Sequence, residues 1–221
     1  MDIKIPKFRT THRLVLWMKN NWVCIHDYDT NKARLPSDRE EVFFKSKKES
    51  PSIIACNVSE YAFRTGKLEP RFEELLKCEP SAVLRYAKIL HSRQEEVSED
   101  LLNCFKGKNS QLFGWAQTIG RLPSFLEDTF DDPKHCFFYA QQILRGRLPS
   151  QLEGVFFKDA FYASKYAFEV IRGFSSVRLP EELHNFMIMK SFEDPDNKYV
   201  KAYIEASEND PGRMGNSVVR V

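Results

Sequence analysis

An aromatic residue followed at once by alanine recurs along this chain, at Tyr61-Ala62, Tyr86-Ala87, Trp115-Ala116, Tyr139-Ala140 and Tyr166-Ala167. The intervals are 25, 29, 24 and 27 residues, and self-similarity at a period of this size marks a stack of small supersecondary units. Tyr139-Ala140 leads on to Ile143-Leu144 and Tyr166-Ala167 to Val170-Ile171, with Leu90 and Ile119 at the matching place in two other units. These spacings put the four residues on one helical face. Alanine lets a neighbouring helix come close while the ring fills the gap between layers, so the dipeptide is expected to begin a buried helix A.

Gly66, Gly120, Gly146 and Gly173 stand where a left-handed residue would close that helix. A stop-and-start phrase follows, Arg34-Leu35-Pro36, Arg121-Leu122-Pro123, Arg147-Leu148-Pro149 and Arg178-Leu179-Pro180, with Lys67-Leu68-Glu69 as a divergent copy. Proline suits the first turn of a second helix, B, and a glutamate four residues on suits the positive end of its dipole. Glu40, Glu127 and Glu153 occupy that place, and His184 does so in the last unit. Leu126, Leu152 and Leu183, continued by Phe130, Phe156 and Phe157, give helix B an apolar stripe. Turns at Glu79-Pro80, Asp131-Asp132-Pro133 and Lys158-Asp159 lead into the next unit.

A hairpin this small cannot bury both faces alone, so neighbours must supply its missing core. The predicted fold is therefore all-α, a right-handed solenoid-like stack of short helical hairpins with a unit of about 26 residues. Residues 1–33 read as an atypical N-terminal cap, 34–207 as the repeat domain, and 208–221 as a flexible C-terminal tail. In the cap, Leu14–Met18 and Trp22–Ile25 fit either a degenerate helix A or a small β-hairpin.

The bulk properties agree with a folded chain. Of the 221 residues, 42% are hydrophobic and 29% charged, which excludes a disordered protein. Lys and Arg (33) nearly balance Asp and Glu (31), so no whole-chain field draws it to nucleic acid or an anionic membrane. Cys24, Cys56, Cys78, Cys104 and Cys136 are scattered, with no Cys-x-x-Cys pair, and fit reduced thiols in a cytoplasm. With no secretory signal and no membrane span to be read, the expected setting is cytoplasmic.

The phrase Tyr-Ala-x-x-Ile-Leu-x-Gly-Arg-Leu-Pro-x-x-Leu-Glu at 139–153 resembles tandem repeats of tailed-bacteriophage proteins, T4-like phages among them. The resemblance is closest over 115–183 and looser over 34–190; the unit at Tyr86 carries Ser92-Arg93-Gln94-Glu95 in place of Gly-Arg-Leu-Pro. It implies a phage accessory protein, acting early in the host cytoplasm, that binds and inhibits a host defence enzyme or toxin. The family motif is architectural and carries no catalytic residue, metal or cofactor.

The residues themselves point the same way. No phosphate-cradling glycine loop, His-Glu-x-x-His or Gly-x-Ser-x-Gly occurs, and the histidines at 12, 26, 91, 135 and 184 lack ligand spacing. Cys24-Ile25-His26-Asp27-Tyr28-Asp29 concentrates a thiol, an imidazole and carboxylates, but neighbours in sequence seldom point together, and a polar turn accounts for it. Arg34, Arg121, Arg147 and Arg178 fall along one edge of the expected stack. They are either a partner-binding ridge or helix-end charges paired with the glutamates of helix B. The reading is a non-catalytic protein-binding repeat whose partner is a host protein. The alternatives are a nucleic-acid binder using the arginine edge with Lys45, Lys47 and Lys48, or an enzyme with an unrecognised site. The oligomeric state is left open.

Overall fold

The structure, a computed structural model, describes residues 5–20, 26–27, 32–33, 35–171 and 179–209. These residues are predominantly helical, and the chain divides into two compact units, Met1–Phe105 and Lys106–Val221. The first unit contains α1 (Thr11–Asn20), the short α2 (Ser37–Glu40) and α3 (Val42–Lys45), α4 (Pro51–Thr65), α5 (Pro70–Leu76), α6 (Pro80–Ser92) and α7 (Glu99–Leu102). Its centre is α4, which packs against α1, α5 and α6. In the second unit follow α8 (Asn109–Ile119), α9 (Ser124–Glu127) and α10 (Pro133–Phe138). Then come α11 (Ser150–Glu153), α12 (Ala160–Glu169), α13 (Glu181–Glu193) and α14 (Lys198–Glu208). Here α8, α10, α12 and α14 form a series in which each packs on the next.

A β-hairpin built on Leu14–Met18 is not seen, and Trp22–Ile25 lies outside the described residues. Leu14–Met18 lie inside α1, where Leu14, Val15 and Met18 are buried. The only strand pairing among the described residues is downstream, a two-residue antiparallel ladder of His26 with Ala33 and Asp27 with Lys32. The first turn of α1 is held by Glu49, whose carboxylate accepts from the backbone N–H of Thr11 (2.7 Å) and His12 (3.1 Å) and from the Thr11 and Ser46 hydroxyls. Burial opposes ionisation of Glu49, but these hydrogen bonds outweigh it and hold its carboxyl below the usual value.

The aromatic–alanine dipeptides are buried as expected, with Tyr86, Tyr139 and Tyr166 at 0% exposure and Trp115 at 3%. They do not begin their helices. Tyr86, Trp115, Tyr139 and Tyr166 sit about two turns in and Tyr61 nearly three, because the turns read from Glu79, Asp132 and Asp159 are N-caps of helix A itself. Glu79 accepts from the N–H of Ser81, Asp132 from that of His135, and Asp159 from those of Phe161 and Tyr162. Proline likewise moves by one place: Pro36, Pro123, Pro149 and Pro180 are the N-cap residues of helix B, not its first turn. Phe130 and Phe156 are buried, whereas Phe157 is exposed and is not part of the stripe expected of helix B.

Gly66 (φ 86°) and Gly120 (φ 84°) close α4 and α8 in the positive-φ conformation expected of them. Gly146 does not. The helix containing Tyr139 finishes as a π turn, Tyr139–Leu144, which takes up an extra residue and hands the left-handed position to Arg145 (φ 50°). Valine at 146 therefore meets no left-handed strain. In the unit that lacks the Gly-Arg-Leu-Pro phrase, Gln94 (φ 59°) takes the equivalent role after α6. Gly173 and the tail from 210 onward lie outside the described residues.

The two glycines that close these helices differ in their surroundings. A Cβ on Gly66 would lie 2.2 Å from Nη1 of Arg93, which also donates through Nη2 to the Phe63 carbonyl (3.1 Å), while a Cβ on Gly120 would meet nothing within 4 Å. Both Gly66→Ala and Gly120→Ala are expected to cost on the order of 1–3 kcal/mol through the backbone, with Gly66→Ala the more damaging because Arg93 must move as well. Denaturant unfolding checks this, and equal losses would show that Arg93 does not hold that helix end.

Candidate functional site

Sequence reading placed the chemistry of the repeat in its arginines. The geometry places it first in a buried three-part latch. The backbone N–H of the leucine in each Arg-Leu-Pro phrase enters helix B too early for an intrahelical partner and is covered by the next helix A. A buried N–H without an acceptor is costly, and the tyrosine of that next helix supplies one.

Leu122 N–H donates to the Tyr139 hydroxyl (3.0 Å), which donates to Glu127 Oε1 (2.7 Å). Leu148 N–H donates to Tyr166 (2.8 Å), which donates to Glu153 Oε1 (2.8 Å). In the first unit, Leu68, Tyr86 and Glu73 repeat the arrangement at 2.8 and 2.9 Å, and Leu35, Tyr61 and Glu40 at 3.3 and 2.6 Å. The carboxylate stands five residues after the leucine every time, which places it on the first turn of helix B beside the hydroxyl.

A further copy lies outside the aromatic–alanine series. Leu179 N–H meets the Tyr203 hydroxyl at 3.3 Å, and His184 Nδ1 lies 2.7 Å from that oxygen. Tyr203 is followed by Ile204, so the dipeptide was missing. The five-residue offset from Leu179 to His184, and the capping Asn197 ahead of α14, were the signals that could have found it. Conversely, Leu102 stands five residues after Val97, and the next aromatic in the series is Trp115 instead of tyrosine. Both polar members of the latch are thus absent from the same interval of sequence.

Arg121 and Arg147 complete the latches they adjoin. Arg121 donates to Glu127 Oε2 (3.3 Å), and Arg147 contacts both oxygens of Glu153 at 3.1–3.2 Å through Nε and Nη2. Glu127 and Glu153 are buried, while the arginine side chains are 67% and 52% exposed. The carboxylate of Glu127 raises the Arg121 pKa; for Arg147 burial acts downward, but Glu153 outweighs it. Glu40 finds its cation in Arg71, 2.8 Å away, whose guanidinium also lies over Phe44 and Phe72. Arg34 and Arg178 fall outside the described residues, as do the side chains of Cys24 to Asp29.

Among the described residues no group of three or more His, Cys, Asp or Glu side chains is arranged to hold a metal, and no helix is long and apolar enough to cross a membrane. Of the cysteines, Cys136 is buried, and burial together with Asp132 and Asp131 pushes its thiol up to about 12, away from thiolate chemistry. Asp132 is occupied in turn: burial opposes its ionisation, but hydrogen bonds from His135 to its carboxylate hold its pKa below the usual value. Lys45 pairs with Glu41 at 3.1 Å. No family model, curated protein or solved structure matches the chain.

Burial, reinforced by the charge of the adjacent glutamate, raises the pKa of Tyr86, Tyr139 and Tyr166 above the usual tyrosine value. A folded-state pKa above the unfolded one means that the latch contribution is intact below about pH 10 and is lost as the pH climbs through the higher folded value. The latch tyrosines are therefore expected to ionise only as the helical circular dichroism disappears. Tyrosinate absorbance followed beside ellipticity in an alkaline titration checks this; complete ionisation of every tyrosine with the helices intact would contradict it.

Proposed function

We propose that the chain is a non-catalytic helical repeat protein that works by binding a host protein, as a phage accessory factor that inhibits a defence enzyme or toxin would. The right-handed, solenoid-like course expected from the repeat belongs to this reading. The observation that carries it is the fate of the recurring polar groups. The tyrosine hydroxyls and the glutamates of helix B are buried against one another and against a backbone N–H, so the repeated residue types best suited to acid–base work are engaged in holding units together. What the repeat presents outward is surface, the property that stacked repeats use for recognition. The phage assignment rests on the resemblance of residues 139–153 to phage repeats.

The arginine edge enters the reading as structure first. Arg121 and Arg147 neutralise buried carboxylates, which leaves little free positive charge for a phosphate backbone. Reversing Arg121, Arg147 and Arg178 to Glu is expected to lower the melting temperature, because new carboxylates at 121 and 147 would face Glu127 and Glu153. A variant that keeps its melting temperature but loses its partner would instead make the edge a binding surface. Capture from a bacterial lysate, washed at low and then high salt, tests the reading itself: a protein retained through high salt supports it, and salt-labile nucleic acid alone would favour the nucleic-acid alternative.

A further inference from the structure

Three side chains of the second unit meet outside the latches. Asp132, the N-cap of α10, accepts at one carboxylate oxygen from the His135 backbone N–H (3.0 Å), and Nδ1 of the same histidine bonds to that oxygen as well. The other ring nitrogen, Nε2, lies 3.4 Å from the Ser110 hydroxyl on the first turn of α8. With the Nδ1 proton committed to the carboxylate, Nε2 carries the lone pair and Ser110 is the donor. That separation is loose for a finished hydrogen bond and within the range of a nucleophile and base that await a substrate.

Helix capping alone does not call for this arrangement. The matching caps Asp159 and Asn197 each accept from two backbone N–H groups and are followed three residues on by Tyr162 and Val200, neither of which is a base. The geometry around Ser110 is also held in place. Asn109 donates to the Asp131 carboxylate (2.6 Å) and accepts from the Asp131 N–H (3.1 Å), which pins the start of α8 to the approach to α10. Phe113, one turn beyond Ser110, stands edge-on to the imidazole with ring centroids 6.2 Å apart. The first N–H groups of α8, those of Asn109 and Ser110, have no acceptor inside the helix, and the Lys108 side chain does not cap them. They are available to a negative oxygen formed beside Ser110.

A nucleophile, a base and a carboxylate that orients the base are recognised by geometry and not by their order along the chain. We infer that Ser110 is an activated hydroxyl that takes up an acyl group from an ester with a good leaving group. His135 acts as the general base, and Asp132 positions its ring. The Ser110 oxygen forms a bond to the acyl carbon as the bond to the leaving oxygen breaks. The hydroxyl proton passes to Nε2 and from there to the leaving oxygen, so the products are an ester at Ser110 and a free alcohol or phenol. Ser110 is exposed, and the reactivity of the donor supplies what an enclosing cleft otherwise would. Asp132, held ionised by its hydrogen bonds, faces the imidazolium that forms during transfer. This property goes beyond the binding role proposed above and uses none of the latch residues.

The probe is p-nitrophenyl acetate, offered to the full chain while released phenolate is followed by absorbance and the acetylated residue is located by peptide mass spectrometry. Wild type is expected to give a burst of phenolate matching the chain concentration, with the acetyl group on Ser110. Ser110→Ala should lose the burst, and His135→Gln should slow it about a hundredfold or more. Unfolding the wild type in urea should likewise abolish the preference for Ser110, a readout that needs no variant to fold. Acetyl groups on lysines but not on Ser110, or equal Ser110 rates in wild type and His135→Gln, would overturn the inference and leave His135 as a capping side chain. Hydrolysis that continues beyond the burst and is lost in Ser110→Ala would support the activated serine while contradicting the non-catalytic reading, so the two stand or fall separately.

Discussion

A single backbone group sets the terms for the repeat. The leucine that leads into helix B carries an N–H that the following helix covers, and covering it without an acceptor would cost about 1–3 kcal/mol. Tyrosine answers this from the next helix A with an oxygen at the end of a rigid ring, and its own proton then needs an acceptor in turn. Glutamate five residues after the leucine provides one, and Arg121 or Arg147 screens the remaining carboxylate oxygen from the solvent side. Each member is held in place by the next. The latch also fixes the register of helix A against the preceding helix B, which apolar packing alone specifies only loosely.

The two departures from this pattern are informative because they are chemically consistent. Where the carboxylate position carries Leu102, the next aromatic is Trp115, so neither a buried carboxylate without its hydroxyl nor the reverse is called for. Where it carries His184, the tyrosine is retained and the imidazole Nδ1 takes the carboxylate's place beside the Tyr203 hydroxyl. The interval with Leu102 also contains the division between the two compact units, after Phe105, so the series loses its tyrosine–carboxylate pair at the same point in the sequence where its compactness breaks.

Much of this was legible in the sequence, and the parts that were not have physical reasons. Aromatic–alanine periodicity located the buried face correctly, since ring volume and close helix approach leave a compositional mark. It misplaced the helix starts, because cap residues such as Asp132 and Asp159 look like turn residues until their acceptors are seen on backbone N–H groups inside the next helix. Gly146 stands at the same place in its unit as Gly120, but the π turn before it is a local change of hydrogen bonding that no residue type announces. The glutamates of helix B were legible as helix-dipole partners. Their larger role depends on a tyrosine 12 to 21 residues away, a separation that periodicity within one helix cannot reveal.

The central claim is that the tyrosine and the carboxylate act as one unit, and a double-mutant cycle at Tyr139 and Glu127 tests it most directly. Tyr139→Phe and Glu127→Leu, singly and together, would be compared by denaturant unfolding of the full chain. The account predicts that each single change costs about 1–3 kcal/mol and that the double variant loses less than the sum by ~1 kcal/mol or more, since removing both partners leaves neither one stranded. Losses that add to within about 0.5 kcal/mol would contradict it, and would mean that the recurring tyrosines hold the repeat by ring packing alone.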